Sequence, residues 1–551
     1  PSRLKKVEII ADFLKKLPLE DTSDLLYLLK GKNFPDYSEK EMGISEKLVI
    51  KSLSKASGTS DKEIVLLWKK RGDLGNVAEE IISKKKQHTL FSHRLSVEKV
   101  IDTLKKLPSL TGKGTVDKKL SLLSELLISS SGIEVKYIVR TLLSDLRIGV
   151  ADGTLRDAIV RACFKEDDAE KIKEATNAVQ ESYDMTTDWK LVFQNAIKGI
   201  THLEKSSLTP GKPVKVMLFL KESTIKEGFE RVGKPALLDY KYDGFRMLIT
   251  KDEKGVINLF TRRLDNVTNQ FPEVKKYVEQ FVEGKTFILD SEAVGYDAHT
   301  KKYRPFQEIS QRIKRKYDIE KLQKELPIEV NVFDILYFNG VSLLKKPFKE
   351  RRTLIEKIVH TQALKIRPSK SIITEDLKKA EIFYQEALKH GEEGIMMKNL
   401  EAPYKPGARV GYGVKIKPED NEFDLVIVEA VYGTGKRAGW LTSYTVACRM
   451  PGDELREIGK VSTGLKEKET EGLSFIELTK QLKPLITSEN GRSVKVKPKL
   501  VVTVVYQNIQ KSPTYSSGFA LRFPRITRLR VDRAVHDIAT LTEIKKEVEK
   551  G

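Results

Sequence analysis

Ala236-Leu237-Leu238-Asp239-Tyr240-Lys241-Tyr242-Asp243-Gly244-Phe245-Arg246 passes from an apolar run into a polar turn within a few residues. The run before Lys241 reads as a buried strand, and Asp243-Gly244 as the turn that ends it. Lys241 therefore stands where the strand gives way to the turn. A lysine so presented can act as a nucleophile, because burial and neighbouring cations favour its free lone pair. Arg246, further on, offers a fixed guanidinium to a phosphate or a ribose. A lysine ahead of Asp-Gly also reads as an ordinary exposed turn residue. Its meaning therefore rests on the residues downstream of it.

Five further clusters come in order. Phe260-Thr261-Arg262-Arg263-Leu264 reads as a strand end delivering adjacent guanidiniums suited to phosphate. In Phe287-Ile288-Leu289-Asp290-Ser291-Glu292-Ala293-Val294, alternation puts Asp290 and Glu292 on one strand face, where they can hold magnesium or a ribose hydroxyl. Val332-Phe333-Asp334-Ile335 can lay Phe333 against a purine. Glu392-Glu393-Gly394-Ile395-Met396-Met397-Lys398 offers a second metal carboxylate, Glu393, and a phosphate-binding lysine, Lys398. Arg409 precedes Lys415-Ile416-Lys417, whose two lysines share a strand face and aim at one anion. Each cluster has a bland reading, as surface charge for the carboxylates and lysines and as core for Phe333. Together they supply a nucleophile, a purine platform, metal ligands and phosphate cations within one domain, which chance explains poorly.

The bulk composition agrees with a nucleic-acid partner. The 551 residues suffice for three or four domains, and 40% hydrophobic with 32% charged residues describes a soluble globular chain. A net charge of +21 points to a polyanion, the alternative being a merely solubilising lysine surface. No stretch approaches the roughly 18 apolar residues of a membrane span and no signal-peptide core stands at the start, so a cytoplasmic, nucleoid-associated location without membrane attachment is expected. Cys163 and Cys448 permit neither a disulfide framework nor a four-cysteine zinc site.

Along the chain, residues 1–205 carry helical apolar spacing, as in Ile9 to Leu14, Ile138 to Leu143 and Leu155 to Cys163. Basic loops at Lys84-Lys85-Lys86 and Gly112-Lys113-Gly114 separate the helices, as in a domain gripping a phosphate backbone, a bland helical bundle with solvated lysines being the other reading. Pro210-Gly211-Lys212-Pro213 breaks this pattern. Residues 206–418 then mix short strands with helices, the clearest of them Glu350 to His360 and Leu377 to His390. Residues 419–551 are strand-rich with glycine turns, reading as a small antiparallel barrel closed by a helix from about Thr542 to Lys550. The fold class expected is multidomain α+β: an all-helical domain, a mixed α/β domain and a C-terminal β-barrel.

On these residues the chain resembles the ATP-dependent DNA ligases of the archaeal and eukaryotic replicative type, over nearly its whole length. Lys241 to Arg246 is similar to the nucleotidyl-lysine motif that those enzymes share with RNA ligases and capping enzymes. Asp145-Leu146-Arg147-Ile148-Gly149 resembles part of a DNA-binding domain. Gly435 to Trp440, Leu521 to Arg525 and Arg530-Val531-Asp532-Arg533 resemble segments of an OB-fold. The resemblance implies that Lys241 attacks the α-phosphorus of ATP to form lysyl-AMP. It implies Lys415 and Lys398 on the α-phosphate, Glu292 and Glu393 on Mg2+, and Phe333 on adenine. Arg246, Arg409 and Lys417 would contact the nucleotide, Arg530 and Arg533 the departing pyrophosphate, and Arg262 the 5′-phosphate of nicked duplex DNA.

Three positions depart from the family pattern. Asp239 stands for a glutamate near adenine, Gly413 for a tryptophan before the paired lysines, and Arg533 for a lysine. Two cysteines cannot build the zinc module of NAD-dependent ligases, which favours ATP. Gly433-Thr434-Gly435-Lys436 is not a Walker loop. Gln87-His88-Thr89-Leu90-Phe91 resembles a sliding-clamp-binding peptide, with an incidental basic loop as the other reading. A monomer is expected. An RNA ligase or capping enzyme would share Lys241 but needs no helical domain of this size. A non-enzymatic DNA-binding scaffold explains the charge but not the carboxylate and lysine clusters.

Overall fold

The computed structural model describes residues 2–550 except 18–23, 39, 41, 85–94, 165–167, 305, 314, 316, 419–420, 434–436, 438, 451, 453 and 469–471. The clamp-like peptide Gln87 to Phe91 thus lies outside the described residues, as do positions 434–436 of the glycine turn. The chain divides into two compact units, Pro1–Lys417 and Pro418–Gly551.

The first unit begins with helices, running from Arg3–Lys15 to Ile200–Glu204. Their starts are encoded locally. Ser45, Ser60, Ser96 and Ser131 each accept a hydrogen bond from the amide three residues on, and Ser131 with Glu134 closes a reciprocal capping box. Gly58 and Gly72 end two of the helices in the left-handed conformation. The apolar stripes bury into two cores, one centred on Val49, Leu53 and Leu123, the other on Leu155, Val179 and Phe193. Leu25–Leu28 forms only a single helical turn.

After residue 204 the unit becomes mixed. Its strands are β1 (Leu218–Glu222), β2 (Ala236–Lys241), β3 (Phe245–Lys251), β4 (Ile257–Thr261), β5 (Phe287–Gly295), β6 (Ile328–Phe338), β7 (Val341–Ser342), β8 (Ile366–Pro368), β9 (Ser371–Thr374), β10 (Gly394–Asn399) and β11 (Arg409–Ile416). One sheet runs β1-β11-β10-β2-β9 and the other β4-β3-β5-β6-β7, with β8 beside β6. β2 and β5 are buried almost throughout, the mark of strands covered on both faces. Helices Ile225–Val232 and Leu377–Lys389 share a core with the first sheet. Helices Pro272–Phe281 and Phe348–Ile358 share one with the second. β2 and β3, joined by the Tyr242 to Gly244 turn, belong to different sheets, so Lys241 ends one sheet just where the chain crosses to the other.

A buried ion pair ties the second sheet to the helix Phe348–Ile358 and to the segment that follows β10. Asp334 on β6 accepts from Arg351 Nε at 2.7 Å and Nη2 at 3.1 Å, and Arg351 Nη1 also reaches the carbonyl of Ala402 at 3.1 Å. Both side chains are almost wholly buried, at 1% and 5% exposure, so removing either partner strands a charge.

The second unit holds β12 (Asn421–Tyr432), β13 (Leu441–Arg449), β14 (Leu455–Val461), β15 (Ile486–Asn490), β16 (Ser493–Val496), β17 (Val501–Tyr506), β18 (Ile509–Lys511), β19 (Phe519–Leu521) and β20 (Arg525–Leu529). The long β12 pairs with β17 over its first half and with β13 and β16 over its second. Helices Phe475–Leu482 and Leu541–Lys550 contribute Phe475, Leu478, Leu541 and Ile544 to the core. The unit is β-rich as expected, but among the described residues no ladder joins β14 to β15 or β20, so the expected closed barrel is not seen. None of the described helices is long and apolar enough to cross a membrane.

Arg351→Ala should destabilise the first unit by about 3–5 kcal/mol, the usual cost of a stranded buried charge, read as a lower urea midpoint. An unchanged midpoint would remove the bracing role.

Candidate active site

Between the two sheets lies a cavity of about 980 Å³, lined from β2, β3, β5, β6, β10 and β11. Lys241, Arg246, Arg262, Glu292, Phe333, Glu393, Lys398, Arg409 and Lys415 all line it. Cross-strand register explains the convergence. Asp239 pairs with Met396 and Met396 with Lys415, while Lys241 pairs with Gly394 and Arg246 with Glu292. Side chains in register across a sheet share a face, so residues far apart in sequence meet.

Lys241, half-buried, points its ammonium at Glu393, with which it forms an ion pair. The amide of Glu393 donates to the carbonyl of Lys241 at 2.9 Å, fixing the two backbones together. Next to them, Glu392 Oε2 accepts from the Asp243 amide at 3.2 Å, while its other oxygen is buried with no hydrogen-bond partner. Burial, reinforced by Asp243, Glu292 and Glu393, pushes the Glu392 carboxyl up to about 8. Glu292 is likewise pushed up to about 8 by burial, with Asp290 and Glu393 adding and Lys241 and Arg246 opposing. Across the cavity, burial together with Lys241, Arg409, Lys417 and Arg262 lowers the Lys415 ammonium, and burial with Arg246 and Arg409 lowers Arg262. Carboxylates and cations lining one cavity, each destabilised by burial and by like-charged neighbours, make a site for a charged ligand.

Arg246 is committed internally. Its Nε donates to Asp290 Oδ1 at 2.8 Å, its Nη1 to the Met217 carbonyl at 2.6 Å and its Nη2 to the Tyr404 hydroxyl at 3.3 Å. Tyr404 in turn donates to Asp290 Oδ2 at 2.8 Å. Asp290 is fully buried here, whereas Glu292, two residues along the same strand, reaches the cavity. Tyr404 carries no motif, and nothing in its local sequence singles it out.

The aromatic end is built around Phe333. Lys398 Nζ lies 4.7 Å from the centre of the Phe333 ring and 4.8 Å from that of Phe348, and the Arg246 guanidinium lies 5.3 Å from Phe333. Lys398, expected on the α-phosphate, forms a buried ion pair with Asp239. The other oxygen of Asp239 accepts from Ser369 at 2.9 Å, and Arg352 Nη1 donates to Ser369 at 2.8 Å. Both oxygens of the shorter carboxylate are thus engaged by protein. Lys417 stands one residue beyond β11, outside the cavity lining. Arg530 and Arg533 belong to the second unit, where both are anchored on Asp424, at 2.8 and 3.3 Å. Among the described residues no group of three or more His, Cys, Asp or Glu side chains is assembled for a metal.

Comparison with known proteins gives one answer along the whole chain. Residues 216–417 match the family model for the ATP dependent DNA ligase domain, 1–160 that for the DNA ligase N terminus, and 437–533 that for the ATP dependent DNA ligase C terminal region. A DNA ligase of Nanoarchaeum equitans is 46% identical over 100% of this chain and 96% of its own length. Those of Thermococcus onnurineus and Methanocaldococcus jannaschii are 39% and 37% identical, over 98% and 97% of this chain and 93% of each relative.

Glu292 yields a prediction whose sign is set by its shift. Its ordinary value is 4.5 and its folded value about 8, so between these the unfolded chain is ionised and the folded chain protonated. Its contribution to stability therefore falls as pH rises through that window. Glu292→Gln, in metal-free buffer, should show no melting advantage near about pH 4 and a growing one toward about pH 8.5. Parallel melting curves across that range would refute the burial of this carboxyl.

Proposed function

The chain belongs to the ATP-dependent DNA ligases, and on that premise we propose that its nick-sealing chemistry runs through Lys241. The observation that carries this is Lys241 at the end of β2, held by Glu393 inside the cavity that Lys415, Arg409 and Glu292 also line. As the free amine, Lys241 attacks the α-phosphorus of ATP. A P–N bond forms, the P–O bond to pyrophosphate breaks, and the amine proton is lost to solvent. Lys415 and Arg409 neutralise the charge around the phosphorus. Phe333 stacks on adenine, and Arg246, braced by Asp290 and Tyr404, bounds the sugar side. AMP then passes to the 5′-phosphate of a nick, read by Arg262, and attack by the 3′-hydroxyl releases AMP and seals the strand.

The carboxylate set fits a magnesium ion. Glu292 and Glu393 both line the cavity, and burial together with the neighbouring Glu393 charge holds the Glu292 carboxyl near 8, a repulsion that a cation relieves. Mg2+ is bound through one or two carboxylates plus substrate phosphates, and Glu292 and Glu393 would hold it. When bound it supplies charge neutralisation at the phosphates. The pairing of Asp239 with Ser369 and Lys398 makes the adenine contact at this position indirect, and Lys398 acts at the base end as much as at the phosphate.

The domain roles rest on membership and composition. Residues 1–205 grip the duplex, 206–418 carry the adenylation site, and 419–551 form the OB-fold that brings Arg530 and Arg533 to the pyrophosphate and then leaves. Lys417 joins the nucleotide or DNA phosphates in one of those states. Gln87 to Phe91 docks a sliding clamp, and Phe91→Ala should weaken clamp binding without touching lysine adenylylation.

The test of the central reading is incubation with magnesium and ATP labelled at the α-phosphate, without DNA. A protein adduct should appear, be abolished in Lys241→Ala, and be discharged by nicked duplex DNA. Discharge by RNA ends only would favour an RNA-joining enzyme, and no adduct in pyrophosphate-stripped protein would overturn the lysine assignment. Arg533→Ala should slow adduct formation and spare sealing of a pre-adenylylated nick; the reverse pattern would remove its pyrophosphate role.

A further inference from the structure

The turn that follows Lys241 is gripped by two successive residues ahead of β10. Helix Leu377–Lys389 ends in a Schellman motif, in which the Glu392 amide donates to the Ala387 carbonyl at 3.1 Å and the Gly391 amide to that of Leu388 at 2.9 Å. Gly391 takes the left-handed conformation this cap needs, at a φ of +82°. The cap fixes the backbone where the chain turns into β10. From there Glu393 donates its amide to the Lys241 carbonyl at 2.9 Å, and Glu392 takes the Asp243 amide on its Oε2 at 3.2 Å. The two peptide units that follow the lysine are thus each held, one by a backbone bond and one by a side chain. The residue between them, Tyr242, is tied elsewhere, its hydroxyl accepting from the Lys370 amide at 2.9 Å.

The position is unfavourable for an acid. Glu392 is 5% exposed, and its Oε1 is buried with no hydrogen-bond partner. The acids of Asp243, Glu292 and Glu393 stand close enough to oppose its charge. An under-paired buried carboxyl costs stability, and an apolar side chain of the same length would fill this place at less cost. Folding alone therefore gives no reason for an acid here. Groups that weaken a fold are kept where a site needs them.

We infer that Glu392 is a positioning residue for lysine adenylylation, holding the turn after Lys241 so that the amine stands in line with the α-phosphorus. This deepens the proposed adenylation reading and rests on it. Glu392 is not among the residues lining the cavity, so it acts through the turn and not on the nucleotide. What the turn requires of it is an acceptor. Glutamine supplies one at the same reach, whereas methionine has the length but no acceptor for the amide.

The test compares wild type with Glu392→Met and Glu392→Gln, using ATP labelled at the α-phosphate and, separately, a pre-adenylylated nick. Glu392→Met should slow adduct formation at saturating ATP by about ten- to a hundredfold, the order lost when a nucleophile is displaced by about 1 Å. Its KM for ATP should change less than about twofold, and its sealing of the pre-adenylylated nick, which needs no attack by Lys241, less than about threefold. It should melt no lower than wild type, and the Asp243 amide should lose protection from hydrogen exchange. Glu392→Gln should restore adduct formation to within about threefold of wild type. An unchanged adduct rate in Glu392→Met, beside a normal adduct in wild type, would overturn this inference and leave the lysine assignment standing. So would a slow rate that follows a lowered melting temperature and slowed sealing alike, since Glu392 would then serve the fold. Glutamine as slow as methionine would also overturn it, by showing that an acceptor is not what the turn requires. No adduct in wild type would overturn the lysine assignment itself, and this inference with it.

Discussion

Asp290 has no exposed surface, yet it is an acid set in the middle of an apolar strand. A carboxylate in that position is tolerable only if fully paired, and its pairing dictates much of the cleft. Arg246 arrives from the neighbouring strand and Tyr404 from the segment leading into β11, and the same guanidinium captures the carbonyl of Met217 just before β1. One buried charge thereby ties the second sheet to the segments that lead into β1 and β11, the parallel strands at one edge of the first sheet. The distance between the sheets, and hence the width of the cavity, is set by that knot.

On this frame the site works by frustration rather than by satisfaction. Glu292, Glu392, Lys415 and Arg262 are each held away from their ordinary protonation balance by burial and by like-charged neighbours. Phosphate is a ligand that relieves the strain on the cations, and an ATP-dependent ligase must admit it. Asp239, Lys398, Ser369 and Arg352 are by contrast fully engaged with each other. The end of the cleft around Glu292 and Lys415 is thus left with charges unrelieved, while the end around Phe333 is braced by paired side chains.

Much of this is legible in the chain. The apolar run ahead of Lys241 and the Asp-Gly after it mark a strand end and a turn, and both are found at those residues. Alternation along β5 separates Asp290 from Ser291 correctly but does not reveal that Asp290 turns into the core while Glu292 meets the cavity. Helix positions track the apolar spacing and ends shift by a turn or less; the helix read from Glu350 begins at Phe348, just after Pro347. Tyr404, Ser369 and Arg352 stay invisible because their partners lie on other strands, and a contact across a sheet leaves no period in sequence. Closure of the C-terminal strands is hidden for the same reason, since it depends on pairings between distant edges. The irregular step between β1 and β11, where Phe219 lies opposite Val410 but Leu220 opposite Val414, is likewise a property of two strands together.

That irregular step also makes two distant positions share one space. With the backbone as it stands a Cβ at 413 would lie 2.4 Å from the Phe219 ring, so a larger residue there requires that ring to move, and the sizes of two side chains almost 200 positions apart are coupled.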